Sequence, residues 1–270
     1  MKRPSLVAGG SLPQRLQAAE AAWNLKDFST CLEILQSAHQ LVPANTAVLV
    51  QLGRVHGLRY DYAAAERCFE QALKLAPQKT AMLTAIADSC DIFRNPELRE
   101  RYLRQAVAQP DATPQLLVNL AGLYERLRRV PEAAQLVERA LTLDPASPAA
   151  RLVRARLERL AGRLEEAEQT LRSFLGRPIP ELWTHVQAWY ELGQNLDRQG
   201  RYDDAMQAFL NAKRLLLPQA AQQLAELKTF RARLRVMEAN VSTQLFQRWL
   251  ENACRACKII VQTTECFVAG

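Results

Sequence analysis

Small and apolar residues recur along the chain with a period of 34 residues. In the unit that starts at Thr46, positions seven, eight, 20, 24, 27 and 32 are Leu52, Gly53, Ala65, Phe69, Ala72 and Pro77. Ala65, Phe69 and Ala72 follow one another at i, i+4 and i+7, a spacing that places residues on one face of an α-helix. Each unit is therefore predicted to be a pair of helices, which buries its apolar face by stacking on its neighbours.

The same register extends along most of the chain. Further units start at Leu12, Thr80, Pro114, Pro148 and Val186. Two of them fit less closely, because Pro110 arrives one position early and because Arg154 and Glu158 occupy positions that are usually apolar. A slip of four residues, through residues 178–181, precedes the last unit. We therefore predict six helix pairs between residues 12 and 219, preceded by a flexible segment at residues 1–11.

Helical spacing continues after the repeats end. Beyond Pro218 the period stops, but apolar residues keep a helical spacing at Leu224, Leu227, Phe230, Leu234 and Met237. A capping helix is expected here, since the end of a repeat array must shield its last apolar face. Ser242 is a candidate N-cap for a second, short helix that includes Trp249. Residues 220–252 are thus predicted to form capping or spacer helices, and residues 253–270 an irregular or flexible tail.

The repeated positions resemble the signature of the tetratricopeptide repeat family. The resemblance covers Leu12 to Gln219, about three quarters of the chain. It implies an all-α fold, a right-handed superhelix (α-solenoid) of about six helix-turn-helix repeats with a C-terminal capping helix. The first helices would line a concave groove that binds a peptide or helix of a partner protein. The repeats themselves would carry no chemistry, so the chain is expected to be a non-catalytic scaffold.

The family resemblance also implies which side chains face the groove. In this family they come from positions two, five, nine, twelve and thirteen of each first helix. Those positions give the following groove set: Leu16, Glu20, Trp23, Asn24, Val50, Arg54, Thr84, Asp88, Val118, Glu125, Arg126, Leu152, Arg156, Arg159, Tyr190, Gln194 and Arg198. The early part of this set is mixed and rather apolar, and its basic residues concentrate in the later repeats.

Five arginines crowd one segment of the later repeats: Arg151, Arg154, Arg156, Arg159 and Arg163. The planar guanidinium group pairs well with carboxylates, so an acidic segment of a partner protein is one hypothesis for the ligand. The alternative is a solvated face on which the arginines pair with the nearby Glu158, Glu165 and Glu166. Nucleic acid is a weaker candidate, because aromatic residues are not interleaved with the basic run.

One subclass of the family grips the carboxyl-terminal tail of chaperones through lysine, asparagine and arginine side chains in the groove. This sequence departs from that pattern. Leu16, Val50 and Thr84 occupy fifth positions where that clamp needs lysine, and Asn119 alone matches its asparagine. Chaperone-tail binding in this manner is therefore not expected.

The segment from Leu245 to Trp249 resembles the spacer of bacterial proteins in which tetratricopeptide repeats precede a sulfotransferase domain. In those proteins the spacer leads into a strand and a phosphate loop that binds the sulfonate-donor nucleotide. Lys258 to Thr264 contains an apolar run and two threonines, but no glycine precedes them. We therefore expect no sulfotransferase activity. The alternative interpretation is the substrate-recognition part of a sulfotransferase whose catalytic domain is absent from this chain.

Composition places the chain among globular proteins. It has 270 residues, of which 49% are hydrophobic and 23% charged, with a formal net charge of +7. No apolar run approaches the roughly 18 residues of a membrane span, and the apolar stretch after Met1-Lys2-Arg3-Pro4 is too short for a signal peptide. A cytoplasmic location is therefore expected, and the positive charge favours acidic partners in a general way.

The cysteines and histidines suggest little chemistry. Six cysteines in a chain of this length do not form a disulfide framework. Cys254 and Cys257 have the spacing of a zinc site with Cys266 nearby, but a structural zinc site needs four ligands and no histidine follows. No metal or cofactor is expected. Self-association stays open, through an uncovered end of the array or through the terminal cysteines.

Overall fold

The computed structural model describes residues 10–176, 181–240, 247–249 and 252, and within them it contains helices, turns and coil. The helices form consecutive pairs, which confirms the predicted all-α solenoid. The first five pairs are α1 (Leu12–Asn24) and α2 (Phe28–Leu41), α3 (Thr46–Leu58) and α4 (Tyr62–Leu75), α5 (Lys79–Ile92) and α6 (Pro96–Val107), α7 (Pro114–Arg126) and α8 (Val130–Leu143), and α9 (Pro148–Leu160) and α10 (Leu164–Leu175). They are followed by α11 (Leu182–Arg198) and α12 (Tyr202–Asn240).

The first helix of the sixth pair is longer than the others. It starts at Leu182, four residues before the unit start at Val186, and has 17 residues where α1 has 13. Four residues make about one helical turn, so the slip in the sequence is absorbed as one additional turn. The signature positions after Val186 therefore keep their phase relative to the earlier pairs.

Every first helix ends in the same turn. Position 15 of each unit has a positive φ, between 55° and 77°, at Lys26, Tyr60, Arg94, Arg128, Gly162 and Gly200. The next amide donates to the carbonyl five residues back, as Asp27 does to Ala22 and Arg201 to Leu196, each at 3.0 Å. This hydrogen bond belongs to the Schellman motif, which ends a helix on a left-handed residue. The turn directs the second helix back along the first.

The two helices of a pair need a close approach at positions eight and 24. A Cβ atom added to Gly53 would lie 2.3 Å from the Phe69 ring, and one added to Gly193 would lie 2.4 Å from the Phe209 ring. The other four pairs carry Ala19 and Leu35, Ala87 and Leu103, Ala121 and Val137, and Ala155 and Leu171 at these positions. Glycine thus accompanies the large aromatic ring and alanine the smaller aliphatic side chain, as close packing requires.

Apolar contacts also join neighbouring pairs. The Phe69 ring stacks on Phe93 with centroids 6.5 Å apart and meets Tyr102 edge-on at 5.9 Å. Gly57 makes room for Phe93, whose ring would lie 2.3 Å from an added Cβ atom. These contacts belong to a core that extends from α3 to α9. Neighbouring pairs therefore share one apolar core, in which each pair is covered by its neighbours.

The carboxyl-terminal helix differs from the sequence prediction. A capping helix was expected from residue 220, but α12 is continuous from Tyr202 to Asn240 with Pro218 in its interior. Proline removes a single amide donor there, and the Ala, Gln and Leu residues that follow favour helix. By its internal contacts the chain divides into two units, Met1–Ala212 and Lys213–Gly270. Ser242, the candidate N-cap, lies outside the described residues, whereas residues 247–249 are helical.

The left-handed turns generate a prediction with a matched control. Nothing lies within 4 Å of a Cβ atom added to Gly162 or to Gly122, but only Gly162 has a positive φ, of 77°. We expect Gly162→Ala to lower the free energy of unfolding by about 1 kcal/mol, because an L-residue pays for the left-handed backbone. Gly122→Ala should raise it by up to about 1 kcal/mol, since alanine is the better helix former. Urea unfolding followed by circular dichroism measures both, and equal effects would contradict the explanation.

Candidate partner-binding groove

A cleft opens between α1 and α3 at the amino-terminal end of the repeats. It has a volume of about 640 Å³. Its lining combines apolar and polar side chains: Pro13, Leu16, Gln17, Ala19, Glu20, Trp23, Asn24, Cys31, Leu35, Gln51, Arg54 and Val55. Leu35 and Cys31 come from α2 and are buried, so they form the floor of the cleft. Five members of the expected groove set, Leu16, Glu20, Trp23, Asn24 and Arg54, are thus brought together.

Arg54 holds a positive charge at the wall of this cleft. Its guanidinium carbon lies 5.6 Å from the centroid of the Trp23 ring, a cation–π arrangement. The Trp23 ring is itself held edge-on by Phe28, with centroids 5.5 Å apart. The Nε atom of Arg54 is buried and has no hydrogen-bond partner among the described residues. Burial lowers the pKa of Arg54, and Asp88 acts in the opposite direction. The guanidinium group is therefore positioned by an aromatic ring, and its Nε donor is unused by the described residues.

The middle of the groove set is polar and carries charges of both signs. The Thr84 hydroxyl donates to the carbonyl of Thr80 at 2.8 Å. Asp88 is exposed, and desolvation raises the pKa of its carboxyl group while Arg99 lowers it. Arg126 is exposed and pairs with Asp91 at 3.2 Å.

Three members of the expected groove set are buried. Val50, Val118 and Leu152 are 7%, 4% and 3% exposed. They occupy the fifth position of their first helices, where an apolar side chain packs into the core. This differs from the expectation that they face a ligand. They support the groove from below, and a partner can touch little of them.

A chain of ion pairs crosses three first helices in the later repeats. Arg156 on α9 donates to Glu125 on α7 at 2.9 Å. The Nη1 atom of Arg156 lies 3.7 Å from the Glu191 carboxylate on α11. This carboxylate also accepts a hydrogen bond from Arg159 at 2.6 Å. These four side chains are between 12% and 24% exposed. Burial raises the pKa of Glu191, and Arg156 and Arg159 lower it. The arginines therefore connect neighbouring repeats.

The rest of the arginine run is also paired within the chain. Arg154 donates to Glu158 at 3.0 Å, and Arg163 lies 3.5 Å from Glu166. Arg151 donates to the carbonyl of Pro145 at 2.8 Å. Glu158 and Glu166 are partners that the solvated-face alternative names, but Glu158 is buried. Arg156 and Arg159 find carboxylates on adjacent repeats. Much of the positive charge of this segment is compensated before any partner approaches.

The last part of the groove set lies on α11. The Tyr190 ring is tilted against Phe209 with centroids 6.0 Å apart. Gln194 and Arg198 are exposed one and two turns further along the helix. This end of the groove set therefore presents polar side chains along one helix.

Sequence reasoning missed three residues that shape this face. Gln17 and Gln51 line the cleft beside the expected residues, and Glu191 closes the chain of ion pairs. Glu191 follows Arg159 by 32 residues. Opposite charges about one repeat apart lie beside each other in a solenoid, so a search at that separation would have found this pair. The two glutamines carry no comparable signal.

The described residues offer little for other chemistry. They contain no group of three or more His, Cys, Asp or Glu side chains that could hold a metal ion. Burial raises the pKa of Cys31 to about 11 and of Cys90 to about 12, so these thiols stay protonated. Cys254, Cys257 and Cys266 lie outside the described residues. In the part of the chain that the structure describes, no helix is both long and apolar enough to span a bilayer.

Comparison with known proteins identifies the repeats. Models of the tetratricopeptide repeat match residues 46–79, residues 99–148 and 184–223, and residues 128–175. A tetratricopeptide repeat protein from Parabacteroides merdae is similar over 86% of this chain and 94% of that chain, with 18% identity and a TM-score of 0.57. BtubC from P. vanneervenii is similar over 79% and 93%, with 15% identity and a TM-score of 0.53. No curated protein matches the chain. At these identities the solved structures show the fold alone.

The ion pairs predict a pH-dependent loss of stability. Arg159→Met leaves the Glu191 carboxylate with Arg156 only, so we expect the free energy of unfolding to fall by about 1–3 kcal/mol near pH 8. Without Arg159 the pKa of Glu191 in the folded state rises further. As the pH falls, the folded variant therefore takes up a proton on Glu191 before the unfolded chain does. Its stability should therefore recover as the pH falls toward about 5.

The matched control for this prediction is Arg163→Met. Arg163 and its partner Glu166 are 55% and 58% exposed, so the loss should stay below about 1 kcal/mol with little dependence on pH. Urea unfolding of the unmodified chain and of both variants, at both pH values, gives the four losses in free energy of unfolding. Equal losses in the two variants would contradict the claim that Arg159 stabilises the chain through the Glu191 carboxylate. A loss for Arg159→Met that is larger at pH 5 than at pH 8 would also contradict it.

Proposed function

Since the chain belongs to the tetratricopeptide repeat family, we propose that it is a non-catalytic scaffold whose concave face binds a segment of a partner protein. The cleft between α1 and α3 is the proposed anchor for that segment. One observation carries this choice: Arg54 projects from an apolar and aromatic wall, and its buried Nε atom lacks a hydrogen-bond partner among the described residues. A ligand carboxylate in the cleft would pair with the guanidinium group, and the side chain would have to turn for the Nε atom itself to take part.

The lining of the cleft suggests the chemistry of the ligand. Leu16 and Trp23 offer apolar surface for one large side chain, and the buried Val55 lies beneath them. Gln17, Gln51 and Asn24 add amide groups that can bond to the backbone of an extended segment. Apolar pockets with a few convergent polar groups are typical binding sites. The proposed ligand is therefore a segment in which a carboxylate lies close to a large apolar side chain.

The sequence analysis favoured an acidic partner because of the arginine run, but Arg54 is a better site for a ligand carboxylate than the arginines of that run. Arg156 and Arg159 are engaged by Glu125 and Glu191, and a ligand carboxylate would have to displace these pairs. Arg54 forms no ion pair with a described residue that a ligand would have to displace, and only the nearby charge of Asp88 acts on it. Exposed polar residues further along, such as Asp88 and Arg126, would then contact the remainder of the bound segment.

A catalytic role has little support. The described residues hold no candidate metal cluster, and the repeats match a family that is generally built for protein contacts. The alternative of a sulfotransferase part has no supporting match, and the structure describes residues 247–249 of the segment on which that resemblance rested. We therefore keep the scaffold as the proposal.

The proposal can be tested with peptides selected on the chain itself. Random peptides displayed on phage are selected on the immobilised full chain, and the best binders are measured by fluorescence anisotropy. We expect enrichment of an acidic residue or a free carboxyl terminus beside a large apolar residue. Arg54→Gln and Trp23→Ala should each weaken binding by about tenfold or more, since each removes a central contact.

Arg67→Gln is the matched control. Arg67 is an exposed arginine on α4, a second helix, and its replacement changes the net charge by the same amount as Arg54→Gln. Binding to this variant should stay within about twofold of the unmodified chain. Selected peptides that bind Arg54→Gln and Trp23→Ala as well as the unmodified chain would rule out the cleft as the anchor.

A further inference from the structure

Four apolar side chains form an exposed stripe on the second unit. Leu227, Phe230, Leu234 and Met237 are 46%, 56%, 46% and 64% exposed. They follow one another by three, four and three residues along α12. That spacing is the a and d pattern of a coiled coil, with the leucines at a and Phe230 and Met237 at d. We call these four residues the seam.

The seam has no cover within the described part of its own unit. All residues from 221 to 238 are exposed, so neither side of α12 packs on another described element there. Large apolar side chains that share one helix face favour a partner, because their association removes them from water.

The charges beside the seam show which partner fits. In the same register Glu226 and Arg233 are at g, and Arg231 and Glu238 are at e. In a parallel two-stranded coiled coil, each g residue faces the e residue five positions later on the other helix. Glu226 would then face Arg231 of a second copy, and Arg233 would face Glu238. Both contacts join opposite charges, and symmetry forms each of them twice.

We propose that this face of α12 is a self-association surface, on which a second copy of the chain pairs in parallel through the seam. Because each copy carries one cleft, the assembly would contain two. The inference is independent of the proposed function, since it uses none of the groove residues.

A membrane surface fits the same helix less well. An interfacial helix carries Lys and Arg across the face opposite its apolar stripe. Here that opposite face includes Ala225, Ala232 and Val236. Glu238 follows Leu234 by four residues and therefore lies beside the apolar stripe, where it would be driven toward the lipid. In the paired arrangement the same carboxylate contacts Arg233 of the other copy.

The seam is short, so pairing should be weak and dependent on concentration. Four core positions cover less than two heptads, and phenylalanine and methionine at d pack less well than leucine. Sedimentation velocity of the full chain, over about 1 to 500 µM, should show the mass rise from 30.4 kDa toward twice that value.

Charge exchange tests the seam without removing its apolar residues. Glu226→Arg places arginine opposite Arg231 of the other copy, and Arg231→Glu places two glutamates opposite each other. Each single variant should weaken pairing by about tenfold or more. The double variant E226R/R231E restores opposite charges and should return to within about threefold of the unmodified chain. Lys228→Glu, which lies outside the g and e positions, is the control and should not weaken pairing.

The outcomes separate the alternatives. All replaced side chains are exposed, and thermal unfolding checks that each variant folds. A chain that stays monomeric over the whole range, or pairing that the single variants leave unchanged, would overturn the inference. So would a double variant that is no better than the singles. Binding of the monomeric chain to phosphatidylserine-containing vesicles would assign the face to a membrane and overturn it as well.

Discussion

The close approach of two helices at positions eight and 24 is the constraint on which the repeats depend. The space between the helices is shared by two side chains, and their sizes compensate: Gly53 and Gly193 accompany phenylalanine, whereas alanine accompanies leucine or valine in the other pairs. The recurring left-handed residue at position 15 returns the chain so that these positions meet. Close packing and turn geometry thus select the same helix pair six times.

This constraint also orients the candidate binding face. Neighbouring residues on an α-helix point about 100° apart. Because Gly53 faces Phe69 of α4, the next residue, Arg54, turns toward the cleft. The orientation of the residues that line the candidate groove therefore follows from how each first helix packs on its partner helix. Ion pairs such as that of Arg159 with Glu191 also connect the first helices of neighbouring repeats.

Sequence periodicity was sufficient for the fold but only partly for the candidate site. The period located the helix pairs because the residue type at each signature position is set by packing within one helix pair. It could not separate Val50, which is buried, from Arg54, which lines the cleft, since both occupy expected groove positions. The pairing of Arg156 with Glu125 depends on contacts between repeats, which a single repeat does not encode. α12 continues through Pro218 because the residues that follow favour helix strongly enough together to offset the cost of one proline.

A double-mutant cycle at Gly53 and Phe69 tests the central claim most directly. Gly53→Ala alone should destabilise the chain, because the added Cβ atom meets the Phe69 ring, and Phe69→Leu alone should destabilise it by leaving space. The double variant creates the alanine and leucine combination that other repeats already carry. Urea unfolding should therefore give a loss for the double variant that is smaller than the sum of the single losses by about 1–2 kcal/mol. Strictly additive losses would show that the two positions do not share one packing space, and would contradict the account.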